Sequence, residues 1–281
     1  MWKSKGFDSD SISVLDKELG LLLFPVKDMV MLPSIAETEV WEPEVIAFIK
    51  YILRPGMNCI NVGANIGYHS KHMSRIIEQA GYVYCYEPNK KVFKYLQFNM
   101  QQEVLDNWEL CNQAIGVKSG LGKLYLNELN FGDSRLIDPR LTKEIVPNEN
   151  LGFYGEVKTE RVQVKSLDDI FLNKTLKIGF ILSDAQGSDC HMILGGLGLI
   201  KRDRPTILFE YVPNWIKSFD VDPNEVFNSL RGLDYEFFTL GSAGLSPLSA
   251  GSEVKDLLQR ESWYSNVVCI DKKTIDKTMH F

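Results

Sequence analysis

The chain has 281 residues, of which 44% are apolar and 24% charged. That is ordinary globular composition, with length enough for a large core without staples. A formal net charge of −6 leaves no general basic footprint for nucleic acid. No stretch approaches the roughly 20 apolar residues of a membrane span, and the first ten residues lack the apolar core of a secretion signal.

The five cysteines are scattered, without C-x-x-C, as buried hydrophobes in a reducing compartment would be. The four histidines show no zinc spacing. His69 and His72 have no Cys or Glu placed in sequence to complete a ligand set, so no metal is expected. The expectation is a cytoplasmic protein without a membrane span.

Residues 1–41 read as an N-terminal appendage with short strands at 20–24 and 29–32. A helix follows over 42–53, with Val45, Phe48, Ile49, Ile52 and Leu53 at helical spacing and Pro55-Gly56 stopping it. Strands and helices then alternate: strand 59–62, helix 67–79, strand 82–86, helix 89–102, strand 108–115. The segment from about 117 to 166 breaks the pattern. Its ends, 123–127 and 161–165, read as antiparallel strands around an irregular stretch containing PNENLGFYGE, a β insertion able to carry substrate contacts. Afterwards come strand 178–182, helix 188–200, strand 206–211, helix 223–230, and strands 235–239 and 266–270. The alternation predicts an α/β fold, a doubly wound, mostly parallel sheet of seven strands, with residues 42–281 as one domain.

The strongest signal is the segment 58–70, NCINVGANIGYHS. A short apolar strand runs into Gly63-Ala64-Asn65-Ile66-Gly67, and a helix follows. Gly63 permits a tight turn, and Gly67 lets the helix start close to a ligand. Glu87 closes the next strand 20 residues past Gly67, where an acid meets the ribose hydroxyls of a nucleotide. A dinucleotide fingerprint has a third glycine, absent here. A ligand with ribose and adenine but no phosphate fits better, and S-adenosylmethionine is such a ligand.

The chain resembles the FkbM-type methyltransferases. The resemblance lies in Asn61 to Tyr68, in Tyr86-Glu87-Pro88, and in Asn99 of the following helix. It continues in Ser166-Leu167-Asp168-Asp169, in SDAQGSD from Ser183 to Asp189, in Leu194-Gly195-Gly196 and in Arg204 to Glu210. Trp41-Glu42-Pro43 also resembles the family, in which a Glu precedes the glycine loop. The resemblance implies a class I, Rossmann-like methyltransferase that uses S-adenosylmethionine to methylate a hydroxyl of a sugar, glycan or related metabolite. Departures are Asn61 for the family's Asp, Leu182 for its Lys, Gln186 where Glu is commonest, and Asp189 for Glu.

In an open α/β sheet, ligands sit beyond the carboxyl ends of the strands, which puts Asp184 at the mouth of the site. Asp184 is the candidate general base for a hydroxyl, or its orienting acceptor; the alternative is a helix cap. His69 is a second candidate base, or a helix-start histidine. The cofactor set is Glu42, Asn61, Gly63, Ala64, Asn65, Gly67, Tyr68, Glu87, Pro88, Asn112, Gln113, Asp184 and Gln186. Within it, Tyr68 is assigned to the methionine portion, and Asn112 and Gln113 to the adenine edge or to a turn. Arg135, Glu210 and Trp215 are candidate acceptor contacts. Two other readings stay open: a dinucleotide-dependent oxidoreductase binding NAD, and a non-catalytic nucleotide-binding module. The acceptor's identity and the oligomeric state, a homo-oligomer included, are left open by the sequence.

Overall fold

The computed structural model describes residues 10–127, 130–138, 157–216, 221–260 and 264–278. The central sheet takes its parallel strands from β3 (Asn58–Val62), β4 (Tyr82–Tyr86), β5 (Trp108–Cys111), β9 (Ile178–Ser183) and β10 (Thr206–Tyr211). To these are added β11 (Tyr235–Gly241), β12 (Gly244–Pro247) and β13 (Ser265–Asp271). The order across the sheet is β12-β11-β13-β10-β9-β3-β4-β5. β13 runs antiparallel to both its neighbours, β10 and β11. The short edge strand β12 is an eighth, beyond the seven expected.

Both faces are covered, because strands buried on two sides alternate their apolar residues between two cores. Cys59, Cys85, Phe180 and Leu182 belong to the core beneath α2 (Pro43–Ile52), α3 (Tyr68–Ile77) and α4 (Lys90–Met100). Ile60, Tyr86, Ile181 and Phe209 belong to the other core. That face is covered by α5 (Leu167–Phe171), α6 (Asp189–Leu194), α7 (Leu197–Asp203) and α9 (Pro223–Arg231). α8 (Pro213–Ile216) follows β10, α10 (Glu253–Leu258) precedes β13, and α11 (Lys272–Thr278) follows it.

The N-terminal region is fastened to the first core. β1 (Ser11–Asp16) and β2 (Gly20–Pro25) form an antiparallel hairpin whose Leu22, Leu23 and Phe24 are buried there. The Asn99 carboxamide completes the outer edge of β2. Its Oδ1 accepts from Leu23 N at 2.7 Å, and its Nδ2 donates to Leu23 O at 3.0 Å and to Ile66 O at 2.8 Å.

Three expected elements differ. The strand at 29–32 is instead the start of helix α1 (Met31–Thr38). Asp28 Oδ1 accepts from Val30 N and Leu32 N at 3.1 and 2.9 Å, which turns the chain into a helix. The strand at 108–115 is two: β5 stays in the main sheet, and β6 (Ala114–Ile115) joins a three-stranded sheet with β7 (Gly120–Tyr125) and β8 (Thr159–Lys165). The helix at 188–200 breaks at Gly195-Gly196, where a Cβ on Gly195 would lie 2.2 Å from the Gly116 carbonyl oxygen. Asp168 then restarts it as α7 by accepting from Gly198 N and Leu199 N at 2.9 and 2.7 Å.

β7 and β8 are antiparallel, as expected for the ends of the insertion. The PNENLGFYGE stretch lies outside the described residues.

Candidate active site

The sheet reverses its direction of growth between β3 and β9. The chain moves outward from β3 through β4 to β5, then returns to β9 on the other side. A crevice opens at such a point, beyond the carboxyl ends of the strands. Here the loop after β3 and the loop after β9 meet. Asp184 N donates to Val62 O at 2.9 Å, and both Gly63 N and Ala64 N donate to Tyr86 O at 2.9 Å.

Contact between these loops explains Gly63. Its φ is +76°, and a Cβ there would lie 1.9 Å from the Asp184 carbonyl oxygen. The close approach is backbone to backbone within the fold. Gly67, with φ +92°, would push a Cβ to 2.8 Å from Leu96, so it seats α3 against α4.

The cleft is lined by Gly63 and Asn65 after β3, by Glu87 and Pro88 after β4, by Gln113 after β5, and by Asp184, Ala185, Gln186 and Ser188 after β9. Ala114, Ile115, Leu124, Phe131 and Leu136 form its apolar wall. No Lys or Arg among the described residues lines it.

Glu87 is buried at the end of β4 and receives two backbone amides, Asn65 N at 3.0 Å and Asn89 N at 2.8 Å. Burial pushes its carboxyl up to about 7, against the pull of those amides. Asn89 also caps α4, accepting from Lys91 N and Val92 N, and its Nδ2 donates to Ser134 Oγ at 3.1 Å.

Around Asp184 the acids crowd together. Asp184 Oδ1 accepts from Gln186 Nε2 at 2.6 Å, and its carboxyl lies within hydrogen-bonding reach of Glu210. Burial, then the nearby Asp189, pushes Asp184 up to about 7. Glu210 is raised well above the usual range by burial and by Asp184, and its buried Oε2 has no ordinary donor among the described residues. Glu42 is raised to about 8 by burial and by Asp184.

His69 Nε2 lies 3.3 Å from Glu42 Oε2. Burial, with a smaller push from His72, lowers this imidazole to about 3. Asp189 is fully buried and holds the loop: its carboxylate accepts from Ser183 Oγ at 2.6 Å, Ala185 N at 3.1 Å and Gly187 N at 3.3 Å.

Residues 61–237, well over half of the chain, match the Methyltransferase FkbM domain. The chain belongs to that family. Among solved structures, the FkbM methyltransferase from Methylobacillus flagellatus KT is similar at 12% identity and a TM-score of 0.47, over 77% of this chain and 44% of that one. This chain thus spans less than half of that relative. A TehB-like SAM-dependent methyltransferase from Corynebacterium glutamicum ATCC 13032 Kitasato is similar at 10% identity and TM-score 0.43, over 86% of this chain and 94% of that one. Aeropyrum pernix fibrillarin, solved with S-adenosyl-L-methionine, is similar at 11% and 0.41, over 80% and 72%. No curated protein sequence matches the chain.

Several residues of the family motifs lie away from the cleft. Asn61 points under α3, where its Nδ2 donates to Ser70 Oγ at 2.8 Å. Leu182, where the family has Lys, is buried in the core on that same face. Ala64 is buried in the loop itself. The Tyr68 hydroxyl accepts from Trp41 N at 3.3 Å, and Tyr68 lines a separate groove with Glu18 and Val40. Asn112 donates through Nδ2 to Glu87 O and Pro88 O at 2.8 and 3.0 Å. It therefore fixes the turn, and Gln113 alone of that pair lines the cleft.

Arg135 is 2% exposed, paired with Asp133, and its guanidinium stacks 3.7 Å from the centre of the Trp215 ring. Two of the three candidate acceptor contacts thus form one stacked unit.

Phe131 and Leu136 line the cleft without having stood out in the sequence, and Ser188, part of the Ser183–Asp189 motif, lines it without having been given a role there. For Phe131 and Leu136 no local signal exists, because the insertion folds over the cleft from outside the βαβ pattern.

Among the described residues, no three His, Cys, Asp or Glu side chains are grouped to hold a metal. None of the described helices is long and apolar enough to cross a membrane.

Proposed function

We propose that this FkbM-family protein transfers a methyl group from S-adenosylmethionine to a hydroxyl of a sugar, glycan or related small metabolite, with Asp184 taking the hydroxyl proton. The observation that carries this reading is Asp184, which lines the same cleft as Glu87 and lies within hydrogen-bonding reach of the Glu210 carboxyl.

The lining suits this cofactor. Glu87 retains lone pairs for two ribose hydroxyls beyond the amides it already accepts. The apolar wall suits an adenine ring. Asn65 Oδ1 and Ser188 Oγ are buried without partners among the described residues, as groups awaiting a ligand or ordered water are. A pyrophosphate would instead meet Glu87 and Asp184 with no basic residue on the lining. That disfavours a dinucleotide, whereas a sulfonium and an ammonium are favoured by nearby acids. Glu42 and Gln186 belong with Asp184, and the Arg135–Trp215 unit is assigned to the acceptor side.

When bound, the cofactor supplies an electrophilic methyl group on sulfur. The chain's own task is alignment, exclusion of water and acceptance of one proton. Near pH 7 the Asp184 carboxyl is poised between its two forms. A hydroxyl bound beside it would lose its proton to Asp184, with S-adenosylhomocysteine, its sulfur–methyl bond broken, as the leaving group. Glu210, protonated, donates to the Asp184 carboxylate and steadies it.

Calorimetry with S-adenosylmethionine and with NAD tests the cofactor: the first binds and the second does not. Asp184→Asn then keeps cofactor affinity within about twofold, while turnover on a hydroxylated acceptor falls about 10²–10⁴-fold. An undiminished rate would remove Asp184 from the chemistry. Cofactor binding without turnover on any acceptor would favour a binding module.

A further inference from the structure

We infer that the Ser188 hydroxyl is a contact for the adenine base, and that the fold leaves it unpaired for that purpose. The inference rests on the proposed cofactor.

Ser188 directly precedes α6, where serine ordinarily turns its oxygen onto the free amides of the first turn. Here it makes no such bond. Asp189 instead ties down the loop before the helix, with one carboxylate accepting from Ser183 Oγ, Ala185 N and Gly187 N. The loop is therefore tied down without Ser188. The Ser188 side chain is nonetheless 1% exposed, and its Oγ has no partner among the described residues. A buried hydroxyl left unpaired destabilises the protein that carries it. An alanine would fit the same place and avoid that cost.

The position indicates the ligand. Ser188 lines the cleft together with Gln113, Ala114, Ile115, Leu124 and Leu136. The first two follow β5, on the far side of Glu87 from the acid cluster. The helix that begins after Ser188 packs beside the same segment: a Cβ on Gly195 would touch Gly116, and Ile115, Cys190 and Ile193 share one core. Ser188 thus stands across the apolar slot from Gln113. A flat heteroaromatic base with nitrogen atoms on its rim fits a slot of this kind. A hydroxyl, as donor and acceptor, can meet either sort of rim group.

The test compares affinity with stability in the unliganded protein. Ser188→Ala should melt at the wild-type temperature or slightly above, because Asp189 holds the loop and an unpaired hydroxyl is gone. Its affinity for S-adenosylhomocysteine should fall about five- to tenfold, the value of one ordinary hydrogen bond. Adenosine should lose the same factor in competition. S-Ribosylhomocysteine, which keeps the ribose and the amino-acid tail but lacks the base, should bind mutant and wild type alike.

Unchanged affinity for S-adenosylhomocysteine would overturn the inference, as would an equal loss on the ligand without adenine. A lower melting temperature with unchanged affinity would make Ser188 a purely structural residue. A wild-type protein that binds no S-adenosylhomocysteine would instead sink the cofactor assignment itself.

Discussion

Glu87 and Asp184 line one cleft from the ends of β4 and β9, and burial pushes both carboxyls up to about 7. Their surroundings differ. Glu87 is held by two backbone amides, which favour its charged form and fix its orientation. Asp184 has one side-chain amide and otherwise faces Glu210, Asp189 and Asp133. Similar upward shifts therefore belong to two kinds of acid. One is anchored and suited to binding. The other shares its proton with neighbours and is suited to titrating. Amide donors compensate a buried charge, whereas carboxyl neighbours can do so only by remaining protonated.

Both regions meet at Gly63, so Gly63→Val should have the largest effect. Its side chain would strike the Asp184 carbonyl and require a left-handed backbone that valine rarely adopts. Loss of more than about 4 kcal/mol is expected, read as the absence of a cooperative thermal transition or a greatly lowered one. A folded variant with wild-type melting would show that the two loops do not meet as described.

Glu87→Ala sharpens the case of the anchored acid. Charged hydrogen bonds to ribose are worth about 1.5–3 kcal/mol each, so the dissociation constant for S-adenosylhomocysteine should rise at least about tenfold. Calorimetry measures it. An unchanged constant would leave Glu87 as no more than a support for Asn65 N and Asn89 N.

The smallest effect concerns pH at the crowded acids. Asp184, Glu42 and Glu87 all have folded values above the usual carboxylate range near 4. These three carboxyls then bind more protons in the folded than in the unfolded state between about pH 4 and 8, while His69 and His72, lowered to about 3 and about 4, act in the opposite sense below about pH 6.5. The carboxyls' contribution to stability is fully present below about pH 4 and is lost as pH rises through 7 and 8. The melting temperature should therefore decline by a few degrees from about pH 6.5 to pH 8. Glu210→Ala should flatten that decline, because a carboxyl raised by burial is removed, and move the acidic limb of the rate profile above pH 7, because Asp184 loses the hydrogen bond that lowers it. Identical curves for mutant and wild type would mean that Glu210 and Asp184 titrate independently.

Much of this was legible in the chain. Alternating apolar runs marked β3, β4, β9 and β10, and the glycine loop with Glu87 marked the cleft. The errors have local causes. At 29–32 the apolar run suited a strand, but the Asp28 carboxylate captured two amides ahead of it. At 112 a side-chain amide bonded to the neighbouring turn and pulled the chain out of the sheet. In each case a single polar side chain outweighed the apolar pattern.

By itself the sequence determined the order of strands and helices, the crevice at the first of them, and the acid at the end of the second, because periodicity and spacing along one chain encode these. Only the tertiary structure decided which motif residues reach the cleft. Asn61 and Tyr68 sit beside the glycine loop in sequence, yet they turn to Ser70 and to the Trp41 backbone, since neighbours on a strand or helix face different ways. The structure also brought Glu42, Asp184 and Glu210 together from three separate elements. Burial and mutual repulsion depend on distance through space, which no spacing in the sequence records.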